Sequence, residues 1–177
     1  MSLRLIQAPS QEYNLTLVPV TLKNLGPVWE FVIDRLESQD IDVDDCNIRE
    51  SFDDWLYYVR VVMKKNEIYT VFYPEPERSN GHILTIHAIL SEKAARRPKD
   101  QVLFLRMYTD YWFKQDTFSK IELETPSKYP LIQNIAERSG FTREGIRRQA
   151  WFDLNESYDV HQFGLLRSEW KEKPNGR

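Results

Sequence analysis

A mixed α/β layer fold in one domain is what this sequence predicts, on three observations. The chain has 177 residues, 41% of them hydrophobic and 13% aromatic, which is the size and apolar content of one domain with a substantial core. Short runs rich in β-branched residues alternate along it with longer runs whose apolar residues recur at helical spacing. No internal repeat or low-complexity tract interrupts that alternation, so the elements stack as layers around one core.

Residues 1–13 read as a loose arm, 14–170 as the folded domain and 171–177 as a frayed, charged tail. Leu15–Val20 is the first strand. Thr21 fits a helix N-cap, and Leu25, Val28, Trp29, Val32, Ile33 and Leu36 repeat as one helical face, with Pro27 near its start. Ser38–Glu50 is acidic and poor in structure signals. Ser51 and Asp54 suggest a helix start, and Trp55, Leu56, Val59, Val62 and Met63 then outline a second amphipathic helix. Glu67–Tyr73 and His82–Leu90 are strands joined by Pro74–Gly81, whose prolines and Asn80-Gly81 are turn chemistry. Ser91–Lys99 is polar and basic. Asp100 fits the N-cap of a helix over Gln101–Gln115. Lys120–Thr125 is a strand, and Tyr129–Ser139 a helix ended by Gly140. Ile146–Leu154 and Val160–Arg167 form a closing hairpin.

Charge narrows the function classes. With 24 basic and 27 acidic residues the net charge is −3, and nucleic-acid binding by counterion displacement needs the opposite sign. No apolar run approaches the roughly 18–20 residues that span a bilayer, and the first residues lack the apolar block of a signal peptide. A cytoplasmic setting is the expectation. Cys46 is the single cysteine, so no intrachain disulfide forms. Asp44 and Asp45 beside it disfavour a thiolate, which marks it as structural or surface-exposed. Asp40, Asp42, Asp44 and Asp45 suggest a Ca²⁺ loop, but Asp45 stands where an EF-hand needs glycine and Ser51 where it needs the bidentate glutamate. No metal ligand set is read.

Two stretches carry a family resemblance. Glu137–Gly145 reads E-R-S-G-F-T-R-E-G: a helix end, a Gly-Phe step, and a Glu-Gly entering a strand. Asp159 is followed by Gly164-Leu165-Leu166-Arg167-Ser168-Glu169-Trp170. Both resemble the GNAT N-acetyltransferases, in the RimJ/RimL-like branch, with a divergent cofactor motif. The resemblance covers about the last third of the chain by motif and extends to about residue 82 by element order. Gly140 can take the left-handed conformation that ends a helix, and Phe141 can then enter the core.

The resemblance implies one GNAT-like domain with a central, mostly antiparallel sheet and helices on both faces. It implies acetyl-CoA in a V-shaped opening between two parallel strands, and transfer of acetyl to a primary amine of a small molecule or protein. In the family a Gln/Arg-x-x-Gly-x-Gly/Ala loop cradles the pyrophosphate with backbone N–H groups. The corresponding stretch here is Arg96-Arg97-Pro98-Lys99-Asp100-Gln101, which carries no glycine in either register. Lys93, Arg96, Arg97 and Lys99 supply side-chain charge in its place. The cofactor-contacting positions are then Ala88, Leu90, Arg96, Arg97, Lys99, Gln101 and Tyr129, the last standing where the family usually has an Asn. Ala136 stands where many members have a Tyr acid. His87 lies near the expected acetyl position, and imidazole is a side chain of the type suited to act as a base near neutral pH. Glu92 at the strand end is the alternative. Asp42, Asp44 and His161 border the acceptor side, where acidic groups would attract a cationic amine. An amine acceptor, and a homodimer or an assembly with other proteins, are the partners implied. The competing reading is a catalytically inactive GNAT-fold protein serving as a binding or structural component, for example phage-encoded or virion-associated.

Overall fold

The computed structural model describes residues 6–7, 15–38, 52, 56–75, 79, 81–153 and 156–172. The fold is α/β, with strands in mixed ladders and helices packed on them. Its contacts divide it into two compact units. The first takes Met1–Glu77 and His87–Arg97, the second Arg78–Ile86 and Pro98–Arg177.

In the first unit, β1 (Ile6–Gln7), β2 (Leu15–Pro19), β3 (Arg60–Lys64) and β4 (Glu67–Pro74) form an antiparallel run. The later half of β5 (Ile83–Leu90) neighbours β4. Helix α1 (Leu25–Glu37) buries Val28, Val32 and Leu36, which join Val20, Val59, Val61, Val71, Tyr73 and Ile89 in one apolar cluster. Thr21 is not the cap of α1. Asn24 stands there, and its side chain turns backward, accepting from the Thr21 N–H at 2.7 Å and donating to the Pro19 carbonyl. Pro27 falls in the first turn, where a missing N–H costs no helical bond.

The expected second amphipathic helix is corrected. A three-residue 3-10 turn at Leu56–Tyr58 leads directly into strand β3. Val59, Val61 and Val62 put three β-branched side chains within four positions, which favours a pleated strand over a helix. Lys65 and Asn66 then turn the chain at φ 50° and 64°, both positive as a two-residue hairpin turn of the primed type demands. Pairing with β4 buries Val61 and Val62 almost completely. Residues 53–55, on which the helical reading leaned, lie outside the described residues.

In the second unit, the start of β5 pairs in parallel with β6 (Lys120–Pro126) over three positions, Ile83–Lys120, Leu84–Ile121 and Thr85–Glu122. Strand β8 (Glu156–Leu166) pairs antiparallel with β6, and β7 (Thr142–Asp153) with β8. Alternation sends Ile121, Leu123, Phe163 and Leu165 into the core with Trp112, Tyr108, Phe104 and Phe113 of α3 (Pro98–Lys114). The helix begins at Pro98, so Asp100 is inside its first turn and not its N-cap. Proline's fixed φ suits that first position. Helix α4 (Pro130–Ser139) ends at Gly140, φ 106°. The Phe141 N–H donates to the Ala136 carbonyl and the Gly140 N–H to that of Glu137, which is a Schellman closure. Phe141 is buried, as expected. The chain closes with a short helix absent from the sequence reading, α5 (Arg167–Glu172). Arg167 pairs with Asp116, and the Trp170 indole donates to Asp110.

Candidate functional site

The chain makes a closed turn, Ser91–Arg97, leading into the stretch Arg96–Gln101 that the resemblance assigns to pyrophosphate. Ser91 caps helix α2 (Glu92–Ala95), its hydroxyl accepting from the Ala94 N–H at 3.2 Å. The Ala95 N–H donates to the Ser91 carbonyl at 2.9 Å, Arg96 to Glu92 at 3.3 Å, and Arg97 to Ala94 at 3.0 Å. Pro98 has no N–H. Five consecutive positions therefore offer no backbone donor outward. Arg96 and Arg97 connect α2 to α3. The assigned stretch continues into the first turn of α3 at Lys99, Asp100 and Gln101. Arg96, Arg97 and Lys99 are exposed, while Asp100 and Gln101 are buried.

Charge in the first unit follows the same logic. The Glu92 carboxylate lies 3.6 Å from Arg96 and 3.7 Å from Arg35, and Lys93 contacts Glu67 at 2.6 Å. The hydrogen bond and charge of Glu67 raise the Lys93 pKa above its ordinary 10.5. Ala88 is exposed, and the Leu90 carbonyl accepts from Arg35 Nε at 3.0 Å.

His87, on β5, has a defined setting. Its Nε2 is 3.1 Å from Glu75 Oε2, and its ring stacks on Tyr73 with centroids 5.3 Å apart and planes 25° apart. Its side chain is 39% exposed, so the imidazole is held on two sides and still reaches solvent. A carboxylate on one ring nitrogen fixes the tautomer and leaves the other as an acceptor. Glu75 and Tyr73 were missed from sequence. Glu75 lies just past the end of β4, which carries Tyr73, and only the fold brings both to His87.

The other candidates sit in the second unit or outside the described residues. Tyr129 precedes α4 and is 45% exposed, with Lys128 Nζ 4.9 Å from its ring centroid and 5.2 Å from that of Tyr158. His161 lies between Thr125 of β6 and Ile146 of β7 in register, and its Nδ1 is buried without a hydrogen-bond partner. Asp42, Asp44 and Cys46 lie outside the described residues. Sequence reading also missed a polar pocket lined by Glu122, Leu123, Glu124, Glu144, Gln162 and Phe163. Lys120 bridges Glu122 at 2.6 Å and Glu144 at 2.7 Å, and Arg147 pairs with Glu124 at 3.0 Å. Period-two alternation puts Lys120, Glu122 and Glu124 on one face of β6.

Among described residues no helix is long and apolar enough to cross a membrane, and no group of three metal-ligating side chains converges. No protein-family model matches the sequence, and no curated relative matches it. Solved structures do match by fold. Spermidine N-acetyltransferase from Vibrio cholerae, in complex with CoA and spermine, superposes with a TM-score of 0.73 at 16% identity, over 90% of this chain and 99% of its own. A GNAT-family acetyltransferase from Streptococcus pneumoniae gives 0.66 at 12% identity, over 86% and 98%. RimL, a ribosomal alpha-N-protein acetyltransferase in its apo form, gives 0.60 at 15% identity, over 86% and 93%. The fold is that of the GNAT acetyltransferases.

Proposed function

We propose that this chain is an N-acetyltransferase of the RimJ/RimL-like kind, moving the acetyl group of a CoA-type thioester to a primary amine. The observation that carries the reading is the pairing of Glu75, just past β4, with His87 of β5, backed by Tyr73 of β4. An amine attacks an acyl carbon only as the neutral base, so it needs a proton acceptor. With Nε2–H donated to Glu75, the His87 Nδ1 lone pair takes that proton, and the carboxylate stabilises the imidazolium that results. The thioester would supply the electrophile: as the C–N bond forms its C–S bond would break, and the leaving thiolate would take up a proton from the His87 imidazolium or from water. Glu92 is the less available proton acceptor, since Arg96 and Arg35 already engage its carboxylate. Tyr129 and His161 are proposed to border donor and acceptor respectively. A cationic acceptor is favoured by the fold neighbour that is a spermidine N-acetyltransferase.

The test is acetylation of a panel of polyamines and peptide amines with acetyl-CoA. His87→Ala is expected to slow transfer by about a hundredfold, and Glu75→Gln by about tenfold with unchanged stability. An unaltered rate in His87→Ala removes it from the mechanism. The closed turn at Ser91–Arg97 favours a second reading, a GNAT-fold binding or structural protein without catalysis, virion-associated being one setting for it. That reading holds if no acceptor is acetylated and millimolar acetyl-CoA leaves the melting temperature unmoved.

A further inference from the structure

We infer that Tyr73 is a positioning residue: its ring, fixed in the α1 core, sets the plane of the His87 imidazole and so the direction of the Nδ1 lone pair. This assignment rests on the acetyltransferase reading above and adds to it what orients the base. The last torsion of a histidine side chain is broad, so its surroundings decide its value. Rotation about that bond swings Nδ1 through a wide arc but moves Nε2 less, because Nε2 lies close to the extended Cβ–Cγ axis. The 3.1 Å contact with Glu75 therefore anchors Nε2 and leaves the ring plane undecided. With 39% of its side chain exposed, the imidazole is not locked by packing all round. Tyr73 supplies the missing constraint. The two rings lie 5.3 Å apart with planes 25° apart, a stacked arrangement that a swing of the imidazole would break. Tyr73 cannot follow such a swing. It is 9% exposed and belongs to the apolar cluster of Val71 and Ile89 with Val28, Val32 and Leu36 of α1. Glu75 and Tyr73 thus do different jobs: one fixes a nitrogen, the other fixes a plane.

Proton NMR and steady-state rates on the full-length chain test this with Tyr73→Phe and Tyr73→Leu. Val62→Ala controls for core damage, since Val62 is fully buried outside the α1 cluster. In the parent and in Tyr73→Phe the carbon-bound ring protons of His87 are expected upfield, shielded by an aromatic face. In Tyr73→Leu they move back toward the positions of free imidazole. With acetyl-CoA and one amine acceptor, Tyr73→Leu is expected to lower kcat about tenfold and leave KM within about twofold, because a misdirected base costs the transition state alone. Tyr73→Phe keeps kcat within about twofold, and so does Val62→Ala despite its lost stability. A kcat in Tyr73→Leu equal to the parent's, or a loss that Val62→Ala matches, overturns the inference and leaves His87 standing as the base. A parent spectrum in which His87 shows no aromatic shielding overturns it as well, whether or not Tyr73→Leu folds. A parent that acetylates no acceptor overturns the acetyltransferase reading and the inference with it.

Discussion

Two turns at helix ends face opposite demands in this chain. At Ser139–Phe141 the backbone bends into the left-handed region, closes α4 with two reverse hydrogen bonds and drops Phe141 into the core. At Ser91–Arg97 the chain makes two right-handed turns and satisfies its own amides. The first keeps its glycine and the second has none. A glycine that the fold requires is retained wherever the fold is retained. A glycine required by a ligand can be replaced once backbone contact with that ligand is no longer made, and a self-satisfied helical turn is then the more stable use of the same segment.

Substitutions at these two turns separate the roles. The largest effect is expected from Phe141→Ala, which leaves a cavity in the second unit and costs about 3–5 kcal/mol in urea unfolding. Gly140→Ala forces a side chain into positive φ and costs about 1–2 kcal/mol. Ser91→Ala removes only the cap of a four-residue helix and costs about 1 kcal/mol. Equal losses for Gly140→Ala and Ser91→Ala would erase the distinction between a turn the fold needs and one it tolerates.

The smallest effect lies at Lys120. Burial opposes its charge, yet hydrogen bonds and attraction to Glu122 and Glu144 outweigh that and hold its pKa above 10.5. A raised lysine pKa means stabilisation present in full below the unfolded value and lost as pH climbs through the folded one. Lys120→Met should therefore cost at most about 1 kcal/mol at neutral pH. It should also flatten the loss of stability of the parent above pH 10.5. A steeper alkaline loss in the variant would contradict this assignment.

The second unit was legible in sequence because its signals are local. Gly140-Phe141 announces a helix end, and the alternation of Ile121, Leu123, Phe163 and Leu165 announces a buried face. The first unit was harder. Val59, Val62 and Met63 satisfy a helical spacing as well as a strand, and only pairing with β4 decides between them. The closing helix was overlooked because its hold on the fold is non-local: Trp170 reaches Asp110 and Arg167 reaches Asp116. The candidate site shows the same split. His87 stood out by residue type, whereas Glu75 and Tyr73 matter through a partner on the next strand. The absence of glycine from Arg96–Gln101 was visible in sequence, but the hydrogen bonds that close Ser91–Arg97 became apparent only in three dimensions.

Gly164 lies under the Glu144 carboxylate: a Cβ built there would stand 2.6 Å from the Glu144 Cδ. Glu144 in turn holds Lys120. These three positions are coupled by contact. A side chain at 164 would displace the Glu144 carboxylate, and Lys120 would then keep only its contact with Glu122. Among diverged copies of this chain, positions 120, 144 and 164 should drift together, while their neighbours along each strand change alone.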